Sequence, residues 1–132
     1  MTIVVIHHSS PQGDAALSAG QDLSRERNEP LLILDARSGS NAPGTDDLEH
    51  RAFIQKVQKA LDSDISWNAE LVEPGEDPPE AIMEHIRTVQ PSIVVLGTRH
   101  RSAIGKMFLG HTVHRYLLEI DSPILLVKPS HK

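Results

Sequence analysis

Short apolar runs alternate along the chain with stretches whose apolar residues recur at helical spacing. Thr2 to His7 (TIVVIH) is a continuous apolar run, as expected of a strand covered on both faces. Ser10 is placed to cap a helix opened by Pro11, whose missing N–H is not needed there. Ala16, Gly20, Leu23 and Arg27 mark a face of that helix, Pro30 stops it, and Leu31 to Leu34 form a second apolar strand. Residues 36–46 (ARSGSNAPGTD) read as a surface loop. Leu48, Ala52, Val57 and Leu61, with Phe53 and Ala60 broadening the stripe, predict a second helix, and Ile65 to Val72 a weaker strand before the Pro74-Gly75 turn. Asp77-Pro78-Pro79-Glu80 has the form of a helix start, with Asp as N-cap, Pro at the first helical position and Glu two further on. Ala81, Ile82, Ile86 and Val89 give that helix a buried face, and Pro91 ends it. Ile93 to Leu96 is the clearest buried strand. Leu109, Val113, Tyr116, Leu117 and Ile120 then recur at helical spacing, and Ile124 to Val127 form a last strand closed by Lys128 and Pro129.

Strict alternation of strand and helix with short connections implies right-handed crossovers. The predicted fold is α/β: a Rossmann-like, flavodoxin-like doubly wound parallel sheet of five strands, order 3-2-1-4-5, with helices on both faces. At 132 residues the chain is expected to make one domain over 1–132, with a core drawn from Val, Ile, Leu and Ala because aromatics are only 3%.

Composition narrows the function classes. The absence of cysteine excludes a disulfide scaffold, thiolate catalysis and cysteine zinc sites. A net charge of −5 argues against a general nucleic-acid surface. No basic-then-apolar leader is present, and no apolar run approaches the ~20 residues needed to cross a bilayer, so the expectation is a cytoplasmic protein without membrane or nucleic-acid partners.

Open parallel sheets bind ligands outside the carboxyl ends of the strands, where the strand order reverses. Here that point lies between the first and fourth strands. His7-His8-Ser9-Ser10 follows the first, and GTRHRSAIGKMFLGHT (97–112) follows the fourth. The second segment has the physics of a phosphate site. Gly97 permits close backbone approach, Arg99, Arg101 and Lys106 bring positive charge, and Gly110 stands near a helix start whose free N–H groups favour an anion. The plain alternative is a strand-ending glycine and solvated basic loop residues. A Walker loop ending at Gly105-Lys106 would need glycine at 100 and Ser or Thr at 107, where this chain has His100 and Met107; a GxGxxG after the first strand is also missing.

The stretch LGTRHRSAIGKMFLGHTVHRYLLEIDSPILLVK (96–128) resembles the carboxyl-terminal third of universal stress proteins, and its RHRS-Ile-Gly-Lys run looks like a basic variant of the loop in short, actinobacterial-type members. The resemblance implies an ATP-binding pattern of glycine, two residues, glycine, nine residues, then glycine and Ser or Thr. On this pattern Gly97 matches the first glycine and Gly110 the last, while His100 replaces the second glycine and His111 the Ser or Thr, with Thr112 one residue on. Where ATP-binding members end the first strand in an Asp that contacts ribose, this chain has His7. Asp35, Ala36 and Leu96 match positions that hold adenine and ribose partly through backbone. The resemblance thus implies weak binding of ATP or another adenine nucleotide, with or without Mg²⁺, at His7, His8, Ser9, Asp35, Ala36, Leu96, Gly97, Arg99, His100, Arg101, Lys106, Gly110, His111 and Thr112. It also implies a stress-response role and a homodimer paired through Ile124 to Val127. The alternative is a dimeric interaction or signalling module of the same fold in which His100 and His111 fill the old site.

Five of the eight histidines, His7, His8, His100, His111 and His114, fall where the crevice is expected. Converging imidazoles can bind a divalent metal or titrate near neutral pH. With no HxH or HExxH spacing, no metal site is expected, and anion affinity that rises as pH falls stands open beside scattered surface histidines. No Asp or Glu lies between 97 and 112 to place Mg²⁺ or activate water, so binding is expected rather than turnover and slow ATP hydrolysis ranks last.

Overall fold

The computed structural model describes residues 1–7, 11–36, 45–73, 76–98 and 111–128. The elements run β1 (Ile3–His7), α1 (Pro11–Arg27), β2 (Leu31–Ala36), α2 (Thr45–Ala60), β3 (Trp67–Val72), α3 (Pro78–Val89), β4 (Ile93–Gly97), α4 (His111–Glu119) and β5 (Ile124–Val127). The five strands form one sheet of order β3-β2-β1-β4-β5 with every neighbouring pair parallel, which is the predicted α/β topology.

The sheet separates two apolar clusters because successive side chains on a strand point to opposite faces. Ile3, Val5, Leu31, Ile33 and Val95 pack with Ala16 and Leu17 of α1 and Phe53 and Val57 of α2. Val4, Ile6, Leu32, Leu34, Val94 and Leu96 pack with Ile82, Met83 and Ile86 of α3 and Tyr116 of α4. This two-sided burial explains why β1 and β2 read as unbroken apolar runs, whereas the edge strands β3 and β5 are mostly half-buried. At Gly20 the helix approaches β1 so closely that a Cβ would sit 2.6 Å from Val5 Cγ2.

Several local expectations are corrected. β2 extends to Ala36 and α2 begins at Thr45, inside the segment read as loop, while β3 begins at Trp67. On α2, Leu48 is 68% exposed and Ala52 and Ala60 are also exposed; the buried row is Phe53 and Val57, continued by Leu61. On α1, Arg27 is exposed and pairs with Glu29, while Ala16, Leu17, Gly20 and Ser24 face inward. Asp77 stands at the N-cap of α3, yet its carboxylate makes no capping hydrogen bond. It accepts instead from both terminal nitrogens of Arg115 on α4, at 2.8 and 2.7 Å. That guanidinium holds the Asp77 carboxyl below the usual carboxylate range. The carboxyl end of α3 closes on Gln90, whose φ of 53° is left-handed and whose N–H donates to Ile86 O.

The amino ends of the strands are joined to the turns beside them. Backbone N–H groups of Ile3, Leu31, Ser92 and Val94 donate to the carbonyls of Pro30, Ser66, Thr2 and Pro123. Glu29 lies among them, receiving Ser92 Oγ–H at 2.9 Å and reaching the terminal ammonium of Met1 at 3.6 Å.

Candidate functional site

The strand order reverses at β1, with β2 on one side and β4 on the other. Register aligns His7 of β1 with Asp35 of β2, and Ile6 with Leu96 of β4. The alternation that turns Ile3 and Val5 toward α1 and α2 also turns His7 that way, and Asp35 follows Leu31 and Ile33. The two polar side chains thus stand side by side at the carboxyl ends of central strands, on the α1–α2 face.

His7 is fully buried, and neither ring nitrogen has a hydrogen-bond partner among the described residues. Its Nε2 lies 3.5 Å from Asp14 Oδ1, within ion-pair reach but outside hydrogen-bond geometry. The Phe53 ring covers it, with centroids 5.0 Å apart and planes tilted by 53°. Burial is the main influence on the imidazole and lowers its pKa below the ordinary histidine value; Asp14 acts in the opposite direction, and nearby Lys56 reinforces the lowering. Asp14 occupies the first turn of α1 and shares the same Oδ1 with Lys56 Nζ, 2.9 Å away. Asp35 is buried, with Oδ2 3.4 Å from His50 Nδ1, and His50 stacks over Phe53 at 6.2 Å.

Other expected site residues are placed less closely. Leu96 is buried with its side chain in the opposite cluster, and Gly97 ends β4 with Ala36 ending β2, both half-buried. Thr98 follows, its N–H and Oγ1 both directed to Val127 O of β5, at 2.8 and 3.4 Å. His111 and Thr112 open α4 and are exposed, as is His114. His8, Ser9, Arg99, His100, Arg101, Lys106 and Gly110 lie outside the described residues. Among the described residues no three metal-ligating side chains gather.

Asp14, His50, Phe53 and Lys56 were not singled out in the sequence as site residues. Their one legible signal is helical spacing: His50, Phe53 and Val57 share a row, and Phe53 and Val57 are the buried members of it.

A doubly wound parallel sheet with its reversal at β1 and polar side chains gathered at the carboxyl ends defines the flavodoxin-like class of ligand-binding folds. Comparison with known proteins is more specific. The model of the universal stress protein family matches residues 1–128. A universal stress protein of Mycolicibacterium smegmatis is 32% identical over 129 residues, covering 96% of this chain and 97% of that protein. Among solved structures, a universal stress protein from Archaeoglobus fulgidus superposes with a TM-score of 0.78 at 22% identity, covering 97% of this chain and 98% of that one. The universal stress protein from the same organism in complex with dAMP gives 0.73 at 19% identity, with the same coverage. The chain belongs to the universal stress protein family.

Proposed function

We propose that this chain is a stress-associated binding protein, a single domain over 1–132, that takes an adenine nucleotide weakly at the carboxyl ends of β1 and β4. The observation that carries the reading is the chain reversal at β1. It leaves Gly97, a residue without a side chain, at the mouth of the 97–112 segment and Asp35 beside His7. A ligand's ribose needs an acceptor there, and the Asp35 carboxylate, one strand over from His7, supplies one. The phosphates fall to the basic segment, where Arg99, Arg101 and Lys106 provide charge-assisted contacts in place of the family's second glycine and hydroxyl. The dAMP complex of the A. fulgidus relative supports adenine nucleotides as the ligand class. The reading makes the protein a binder rather than a catalyst, with Mg²⁺ optional, and puts it in the cytoplasm. Among the described residues no helix is long and apolar enough to cross a membrane.

Calorimetric titration of the nucleotide-stripped protein with ATP, with and without Mg²⁺, tests it. Micromolar binding is expected. No heat at millimolar ATP, together with an unchanged melting temperature, would overturn it.

The second reading is an interaction module without a nucleotide. It is favoured by the closure of His7 under Phe53, in the place where the family resemblance puts an Asp that contacts ribose. His100→Gly discriminates: ATP binding that appears only in the variant marks a site filled by side chains. Under either reading the partner is a second copy paired along β5, an edge strand on which Leu125 is 37% exposed, with Leu118 of α4 exposed nearby in sequence.

A further inference from the structure

The helices α3 and α4 end near one another at the pole of the sheet opposite His7 and Gly97. A groove of about 400 Å³ opens between their carboxyl ends, within the size range of small-ligand sites. Pro91 and Ser122 border it just before β4 and β5. Met83 and Ile86 of α3 and Ile120 after α4 line it with apolar surface, and Met1 adds a second thioether. The segments that run into it, 1–7, 76–98 and 111–128, are described throughout.

The charges around the groove are unevenly matched. Arg87 on the α3 side donates through one terminal nitrogen to Glu80 at 3.0 Å and to Glu84 at 3.1 Å, so its charge is shared between two carboxylates. Glu119 on the α4 side accepts from Arg115 Nε at 3.0 Å, while the terminal nitrogens of Arg115 hold Asp77. The ammonium of Met1 and Nε of Arg27 both face Glu29, at 3.6 and 3.4 Å. Asp121 lines the groove, is exposed, and has no ion-pair or hydrogen-bond partner among the described residues. Six carboxylates thus stand against four cations. The backbone adds to the excess. Gln90 N–H donates to Ile86 O and Ile120 N–H to Tyr116 O, and the later carbonyls of each helix lack a donor within it. Both helix dipoles turn their negative ends toward the groove.

We propose that this groove is a binding site for an organic cation, a primary amine carried on a compact apolar body. The ammonium sits against the Asp121 carboxylate and the helix ends. The body lies over Ile86, Ile120 and the Met83 thioether, a group that favours aromatic rings. Gln90 and Ser122 on the rim offer hydrogen bonds to a polar substituent. An apolar anion finds no such counterpart, because Arg87, the guanidinium on the rim, is already held by two carboxylates. The site stands apart from the crevice at the carboxyl ends of β1 and β4 and does not depend on whether a nucleotide binds there.

The test titrates the full chain, carrying methyl-labelled methionine, with phenethylammonium and with hydrocinnamate, which share a phenyl body and have opposite charge. The Met83 methyl resonance, assigned by its loss in Met83→Leu, is the readout. The expected result is a saturable shift with phenethylammonium at a low-millimolar or lower dissociation constant, and at least about threefold weaker binding of hydrocinnamate. Asp121→Asn, a change at an exposed position, is expected to weaken amine binding about three- to fivefold, and Asp121→Lys to reverse the preference between the two probes. No saturable shift up to about 20 mM amine overturns the site. Equal affinities for the two probes, or an amine affinity unchanged in Asp121→Asn, overturn the recognition of a cation and the proposal with it.

Discussion

Burial of His7 under Phe53, with neither ring nitrogen hydrogen-bonded among the described residues, lowers its pKa in the folded state, whereas the unfolded chain takes its proton near the ordinary value of 6.5. Below that value the unfolded state binds more protons than the folded one, so stability falls with pH until the lowered folded-state pKa is reached. The slope contributed by His7 is at most about 1.4 kcal/mol per pH unit. Urea unfolding from about pH 7.5 to about pH 5 is expected to show a steeper loss of stability in the wild type than in His7→Phe. Identical slopes would show that His7 is not held neutral. A second residue-scale prediction concerns Gly20. An alanine there puts Cβ 2.6 Å from Val5 Cγ2, the short branch of a fully buried core side chain that cannot swing away. Overpacking of this kind costs about 1–3 kcal/mol, and the gain in helix propensity returns no more than about 1. Gly20→Ala is therefore expected to lower the denaturation midpoint, and Gly20→Ala with Val5→Ala to lose less than the two single changes added together.

Among the elements, α3 and α4 are tied by Arg115, which grips Asp77 with two nitrogens and Glu119 with its Nε at 3.0 Å. Because the Asp77 carboxylate is spent on Arg115 and caps nothing, Asp77→Asn and Asp77→Ala are expected to lower the melting temperature by similar small amounts. Both losses should shrink at high salt, since the pair is exposed and screened. A clear advantage of Asn over Ala would mean that the side chain caps after all. The start of α3 was legible in the sequence, but the use of its first carboxylate was not, because the competing partner arrives 38 residues later. The same limit appears on α2. Leu48 and Ala52 lie on a row parallel to the buried Phe53–Val57 row, and both rows satisfy helical spacing. Which row faces inward depends on how the helix is rotated over the sheet, which no local pattern contains.

For the whole molecule, the topology was legible because three central strands are buried on both faces and read as unbroken apolar runs in strict alternation with helices. The ends of those strands pointed to His7 and Gly97 as candidates, and the family resemblance pointed to Asp35. What the sequence hid was the ring of Asp14, His50, Phe53 and Lys56, since these meet only when α1 and α2 pack on one face. The proposed dimer belongs to this scale. Leu125→Asp, on the exposed side of β5, is expected to convert a dimer to monomer in sedimentation velocity without changing the far-ultraviolet circular dichroism spectrum. A wild-type chain that sediments as a monomer at tens of micromolar would remove the interface.

At the amino end, four backbone hydrogen bonds and the Glu29 contacts lace each central strand to the turn beside it. At the carboxyl end stands a histidine whose polar atoms nothing described satisfies. The amino pole therefore has anchorage of its own, whichever residues stand at the carboxyl pole. A lineage is free to rewrite the residues of one pole, exchanging an aspartate or a glycine for a histidine, while the other pole goes on holding the strands in register. The same scaffold can then be retuned from ligand to ligand without having to be folded anew.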